Sequence, residues 1–438
     1  GRMGGLIEDE VPPGDPNKPY GHFSAYEYIQ ETEVIAVANR SAERMQRFTE
    51  RFGVTNTYLD YREMIDVEQP DIVSVTTPSF ARAEPLIYAA EHGVRAIYSE
   101  KGLCASLEEA DRIKAAIKSN NTIFNWGAMR RHNVGFRALA EAIAGGEIGE
   151  PQIVLMYNYT DLIKHHPHTL DTVSMLIGDP MPVWVSGRMI ADGGPSHLLD
   201  ATPTHLDPNP RRPTPEFDAE HNRFLPSKGF EIGDPYVDSF QVGYEGGIVG
   251  YFIPHRDHWD VEVRGSEGRA YALDNGNAFG IRRSPKATRL GSAASGVESY
   301  ATERVIYTRG EPPTVNTIRD LIHSIETGKP TRGNIDVTMQ SVEAQFAIAQ
   351  VGGVIGFPRG RVMRAGGDHE TICKRVDHWS GSCLRCGMLG ILRFRGSNAN
   401  QEKFRYVSLG FRSCSATFRL FRSFAPSPHW PRRAVCRQ

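Results

Sequence analysis

The chain has 438 residues, of which 40% are hydrophobic and 23% charged, enough for two or three cores and too ordinary a mixture for bulk disorder. No apolar run approaches the ~18 residues of a membrane span, and the start lacks the basic and apolar stretches of a secretory leader, so the cytoplasm is the expected compartment. The net charge of −2 hides an asymmetry: Arg364 to Gln438 carries 14 Lys or Arg against 4 Asp or Glu, leaving 36 against 48 for residues 1–363, an acidic body that does not invite nucleic acid.

The chain opens Gly1-Arg2-Met3-Gly4-Gly5, which fits the last two glycines of a G-x-G-x-x-G turn, where backbone N–H groups and a helix N-terminus receive a pyrophosphate. The strand and first glycine that precede such a turn are absent, so exposed strand edges, low stability and weak cofactor binding are expected. Short β-branched or aromatic runs at 34–38, 71–76, 94–98 and 122–126 alternate with helical spacing at 42–51, 83–91 and 107–118. Ser41 and Ser106 stand as N-caps, and Glu109 completes a capping box. This alternation predicts an α/β fold with an N-terminal Rossmann-like, doubly wound parallel sheet over residues 1–128, its first strand missing.

Three strand ends carry chemistry. Asn39-Arg40-Ser41 stands where an Asp or Glu normally accepts from ribose hydroxyls; these residues can donate to a 2′-phosphate, which favours NADP over NAD. The alternative is a solvated Arg40 with Ser41 serving only as a cap. Thr76-Thr77-Pro78-Ser79 and Glu100-Lys101-Gly102 follow the next two strands at the edge where doubly wound sheets bind ligands.

From 129 the texture changes. A helix at 135–144 and a glycine-rich turn at 145–149 lead into strands at 152–159, 183–189, 236–244, 248–253 and 259–264, with Glu245-Gly246-Gly247 as a hairpin turn. These predict an α+β domain over 129–360 with an open, mostly antiparallel sheet, covered on one face by helices at 169–177, 317–326 and 339–351. Residues 192–234, rich in Pro, Gly, Asp and His, read as a long loop or insertion. Residues 364–438 lose all periodicity and hold Cys373, Cys383, Cys386, Cys414 and Cys436, so this tail is expected to be disordered or non-native. Cys104 is the one cysteine of the body, and no disulfide is expected there. No metal is expected either: His165-His166-Pro167-His168 lacks a carboxylate or Cys at ligand spacing, and Cys383-x-x-Cys386 lacks a second pair.

The ordered set Gly-Arg-Met-Gly, Thr-Thr-Pro-Ser, Glu-Lys-Gly-Leu-Cys-Ala-Ser-Leu-Glu-Glu-Ala, Gly127-Ala128-Met129-Arg130-Arg131, Gly-Glu-Ile-Gly and His168-Thr169-Leu170-Asp171 resembles the Gfo/Idh/MocA (glucose-fructose oxidoreductase and inositol dehydrogenase) family over residues 1 to about 356. The resemblance implies an NADP- or NAD-dependent oxidoreductase acting on a secondary hydroxyl of a sugar, cyclitol or related polyol, assembled as a homodimer or homotetramer. It implies that Lys101 lies beside nicotinamide and hydroxyl, that His168 trades a proton with that hydroxyl, and that Asp171 orients the site. Gly1, Arg2, Met3, Gly4, Asn39, Arg40, Ser41, Thr76, Thr77, Pro78, Glu100, Lys101 and Arg130 are the implied cofactor contacts. Three departures stand out: Gly102 replaces Pro and leaves the backbone after Lys101 less constrained, Arg82 replaces a frequent His, and Lys164 replaces the usual catalytic Asp, with Asp161 as a possible substitute. Two rivals remain: an NAD-dependent glycosidase of the same family, and a non-catalytic dinucleotide-binding protein.

Overall fold

The computed structural model describes residues 2–15, 17–158, 162–163, 165–190, 224–227, 230–232, 236–255, 259–283, 302–351 and 390–393. The first part runs through α1 (His22–Tyr28), β1 (Ala36–Ala38), α2 (Ala42–Phe52), β2 (Asn56–Tyr58), α3 (Tyr61–Glu68), β3 (Ile72–Val75), α4 (Ala83–Glu91), β4 (Ala96–Ser99), α5 (Leu107–Ser119) and β5 (Ile123–Trp126). All the strands pair in parallel, β1 with β2 in one sheet and β3-β4-β5 in another. β4 is central and buried along its length, which is why Ala-Ile-Tyr-Ser carries no charge. The helices start where their caps lie. Ser41 Oγ accepts from the Arg44 N–H at 3.3 Å, and Ser106 Oγ from the Glu109 N–H at 3.1 Å, while Glu109 reaches back to the Ala105 N–H at 2.8 Å.

The second part continues through α6 (Val134–Ala144), β6 (Pro151–Tyr157), α7 (His166–Leu176), β7 (Pro182–Ile190), β8 (Phe224–Ser227), β9 (Phe230–Ile232), β10 (Tyr236–Tyr244), β11 (Val249–Ile253), β12 (Val261–Gly265), β13 (Gly268–Leu273), β14 (Ala278–Arg283), β15 (Thr302–Tyr307), α8 (Pro313–Thr327), α9 (Ile335–Val351) and β16 (Gly390–Arg393). Its large sheet has the order β15-β14-β13-β12-β6-β11-β10-β7-β16 and is antiparallel except where β6 pairs with β11. The expected hairpin at Glu245–Gly247 joins β10 to β11, with Gly246 and Gly247 at φ of 81° and 83°, a conformation that favours glycine. One contiguous core joins the parallel sheet, its helices and the buried face of the large sheet.

Several expectations change. The helix foreseen at 317–326 does not cover the second sheet: α8 lies on β4 and β5, where Val315, Ile318 and Leu321 close over Ala25, Ile29, Ala96 and Tyr98. Polar contacts hold it there, since Asn125 Nδ2 donates to the Thr317 carbonyl at 3.1 Å and to Asp320 at 3.0 Å. The exposed face of β4 and β5 needs an apolar cover, and α8 supplies it. Residues 302–307, unassigned from the sequence, form β15 at one edge of the sheet. Of the region 192–234, β8 and β9 pair as a short antiparallel ribbon, and the remainder lies outside the described residues. Of the tail 364–438, Gly390–Arg393 pairs with β7, and the rest lies outside the described residues. Among the described residues no helix is long and apolar enough to cross a membrane, and no three His, Cys, Asp or Glu could hold a metal ion.

Candidate active site at the ends of the parallel strands

The loops after β3 and β4 are tied side by side. The Glu100 N–H donates to the Val75 carbonyl at 3.0 Å, and buried Arg82, at the start of α4, donates to both the Thr77 and Gly102 carbonyls. Burial pushes the Arg82 guanidinium down to about 10, against the pull of Glu100, so it stays charged at neutral pH. A Cβ on Gly102 would lie 3.0 Å from the Ile163 carbonyl oxygen, so Ile163 occupies the space a proline ring would need. The backbone after Lys101 is therefore held by Arg82 and Ile163, not left loose as the missing proline suggested.

Glu100 is anchored from below. His22 bridges it to Ser74, with Nε2 3.1 Å from Glu100 Oε1 and Nδ1 3.0 Å from Ser74 Oγ, and stacks on Tyr98 at 4.0 Å between ring centroids. Burial raises the Glu100 carboxyl, but His22, Lys101 and Arg82 together bring it below its ordinary value. His22 was not foreseen. Its partner is 78 residues away, and nothing in the local pattern separates it from a histidine on any short helix.

His168 sits in the first turn of α7, buried, with Nδ1 lacking a partner among the described residues. Its ring meets Trp259 edge-on, centroids 5.8 Å apart. Burial, then Arg130, Lys101 and His165, hold its pKa well below the ordinary 6.5, so the imidazole is neutral and can accept a proton. These charges also locate Lys101 and Arg130 in the surroundings of His168.

Asp171 is engaged elsewhere. It receives Arg131 Nε at 3.0 and 3.1 Å and Nη2 at 2.8 Å, while Asp179 takes the other side of the same guanidinium at 2.7 and 2.8 Å. Burial pushes the Asp171 carboxyl up to about 6 against the pull of Arg131. It fixes α7 to the turn at 129–132 and does not point a free carboxylate at the site. His166 is a core residue, bonded to Thr169 at 2.9 Å. Asp161 and Lys164 lie outside the described residues, as does Gly1.

On the cofactor side, Arg2–Leu6 forms one helical turn in which a Cβ on Gly4 would lie 3.3 Å from Thr76 Oγ1, so the glycine brings backbone close to the β3 loop. Met3 is half-buried, and Arg2 pairs with Glu10 at 2.6 Å. Thr77 Oγ1 is buried with no partner among the described residues, and Pro78 leads into a short 3-10 turn at Ser79–Ala81. Asn39 Oδ1 accepts the Ser41 N–H at 2.9 Å, Ser41 caps α2, and Arg40 is exposed. A glycine cradle beside a buried hydroxyl lacking a protein partner fits a group with polar oxygens, as a dinucleotide has.

Parallel strands whose loops meet at their C-terminal ends, with a buried histidine on the helix α7 beside the large sheet, are the layout of a dinucleotide-binding α/β fold. Residues 20–127 match the model of the oxidoreductase family with an NAD-binding Rossmann fold, GFO_IDH_MocA. Over 133 residues the chain is 27% identical to myo-inositol 2-dehydrogenase of Thermotoga maritima, covering 30% of this chain and 40% of that protein. The chain thus matches less than half the length of this curated relative. In fold it is similar to an oxidoreductase domain protein from Kribbella flavida, with a TM-score of 0.57 at 17% identity, covering 75% of this chain and 93% of that one. It is also similar to a levoglucosan dehydrogenase solved with NADH and levoglucosan, with a TM-score of 0.57 at 17% identity, covering 76% and 92%. Residues 20–127 are thus similar to the nucleotide-binding part of the Gfo/Idh/MocA oxidoreductases.

Proposed function

We propose that this protein catalyses reversible hydride transfer between NADP or NAD and a secondary hydroxyl of a sugar, cyclitol or related polyol. The observation that carries the reading is His168, a buried neutral imidazole whose Nδ1 has no partner among the described residues, in the field of Lys101. When bound, the nicotinamide supplies the two-electron acceptor or donor. Gly4, Thr76 and Thr77 would hold the dinucleotide; Asn39, Arg40 and Ser41, with no carboxylate among them, suit NADP. The Lys101 ammonium holds the substrate oxygen and stabilises negative charge developing on it. His168 takes the hydroxyl proton as the carbinol C–H bond breaks and the carbonyl forms, and returns it in the reverse direction. Asp171 acts through α7, locked by Arg131. The names of the Thermotoga and levoglucosan enzymes, which refer to a cyclitol and an anhydrosugar, support this substrate class.

The test is a panel of sugars and cyclitols assayed with each cofactor, following absorbance of the reduced dinucleotide. Lys101→Met and His168→Gln should each lower kcat by about 100- to 10,000-fold while the protein still melts cooperatively. Absence of turnover across the panel, or full activity in Lys101→Met, would overturn the proposal.

A further inference from the structure

Two adjacent arginines on the turn after β5 meet different fates. Arg131 is saturated by Asp171 and Asp179. Arg130 is not: Nε donates to Asn275 Oδ1 at 2.8 Å, the guanidinium lies 3.5 Å over the Trp259 ring, and no carboxylate among the described residues pairs with it. The acidic group whose charge would act on it is the Tyr20 phenol, which burial and Asp15 push up to about 12, so it is neutral at pH 7.

Both contacts are made by strained backbone. Trp259 has φ of 63° and Asn275 φ of 56°, left-handed values that asparagine tolerates but that are rare for a bulky side chain. Such strain persists where the surroundings demand a particular side-chain placement. Here both residues converge on one guanidinium, the indole fixing its plane and the amide fixing its Nε. The Nη edge is the remaining pair of donors, a fork that matches a planar carboxylate. The same indole meets His168 edge-on, so the fork and the proton acceptor flank a single ring.

We infer that the substrate is a sugar or cyclitol acid, whose carboxylate is received by the Nη edge of Arg130 while its secondary hydroxyl lies at Lys101 and His168. This rests on the oxidoreductase reading for the hydroxyl but not for the carboxylate. A guanidinium in a half-buried site with no carboxylate partner among the described residues is costly, and a ligand carboxylate offsets that cost where a neutral hydroxyl does so only in part. A phosphate, with two charges, would call for a second strong cation at the fork, and the adjacent guanidinium of Arg131 is already taken by Asp171 and Asp179.

The test uses the full chain and two independent readouts. Trp259 lies under the guanidinium, so tryptophan fluorescence in the absence of cofactor should report titration with D-gluconate or D-glucuronate, and Trp259→Phe should remove the signal. D-glucose, myo-inositol and D-glucose 6-phosphate should bind about 10- to 100-fold more weakly, the range of a hydrogen-bonded charge pair. Arg130→Met should abolish that preference, and Arg130→Lys, which keeps the charge but not the fork, should retain part of it. If Arg130→Met fails to fold, the fall in preference in Arg130→Lys decides. In the second readout, kcat/KM with either cofactor should favour the acids by a similar factor. Equal binding of neutral sugars, preference for the phosphate, or an unchanged preference in the variants would overturn the inference. Saturable, Arg130-dependent binding of carboxylates without oxidation would leave it standing and overturn the oxidoreductase reading instead.

Discussion

Replacing Arg131 by Met is the most informative perturbation of the scaffold beneath the site. The guanidinium is 4% exposed and makes three hydrogen bonds of 2.8 to 3.1 Å to a carboxylate that is 1% exposed. Removing one partner of such a pair strands the other charge and costs about 3–5 kcal/mol, against about 0–1 for a surface pair. At ~2–4 °C per kcal/mol, the melting temperature should fall by about 6–20 °C. The pH dependence identifies the cause. With Arg131 present the folded-state pKa of Asp171 is already about 6, above its ordinary 3.8, and removing the cation raises it further. A raised carboxyl binds its proton more tightly in the folded state, so the variant should gain stability relative to the parent as the pH falls towards about 6, below which the carboxyl is protonated in both folded proteins and the gap levels off. Asp171→Asn combined with Arg131→Met should recover much of the loss. Calorimetric scans across that range would refute the reasoning if the gap between parent and variant were below ~1 kcal/mol or constant with pH.

Other outcomes follow from features near the site. Because burial, with Arg130 and Lys101 nearby, holds His168 well below 6.5, its neutral form persists as the pH falls through that value; kcat/KM should show no acid limb near pH 6.5, and a limb there that vanishes in His168→Gln would contradict the assignment. Gly102→Pro should destabilise the protein by about 1–3 kcal/mol, because the ring would meet the Ile163 carbonyl, and thermal melting checks it. Arg82→Met leaves the Thr77 and Gly102 carbonyls without their donor; weaker cofactor binding by isothermal titration is expected, and unchanged binding would show that the two loops hold their spacing without it. Gly135→Ala should cost at least ~1–3 kcal/mol, since its methyl would overlap the Gly276 carbonyl where α6 presses on the turn between β13 and β14.

What could be read from residues alone follows from where the signal is local. Ser41, Ser106 and Glu109 announce their helices within one turn, and the buried strand at Ala96–Ser99 is an uncharged run between polar neighbours. β2 was not legible because Asn56-Thr57-Tyr58 is mostly exposed and gives no hydrophobic contrast. α3 is capped by Asp60, whose side chain accepts from the Arg62 N–H at 2.9 Å, a local signal that the sequence carries. β15 carries exposed Val305, Ile306 and Tyr307 and lacks the alternation that marks a half-buried strand. At the site, Lys101 and His168 were named only through resemblance, whereas the partners of Asp171, Glu100 and Arg130 are settled by packing. The contacts of Arg130 with Asn275 and Trp259, the former 145 residues further on, are invisible to any local pattern.

The placement of α8 on β4 and β5 also bears on how the protein comes into being. Asn125 waits for a carbonyl 192 residues downstream, and Ala96 and Tyr98 wait as long for their apolar cover. At a translation rate of ~5–20 residues per second, the nascent nucleotide-binding layer would spend about 10–40 s with that surface bare, so a ribosome-associated chaperone has a defined window and a defined patch to protect.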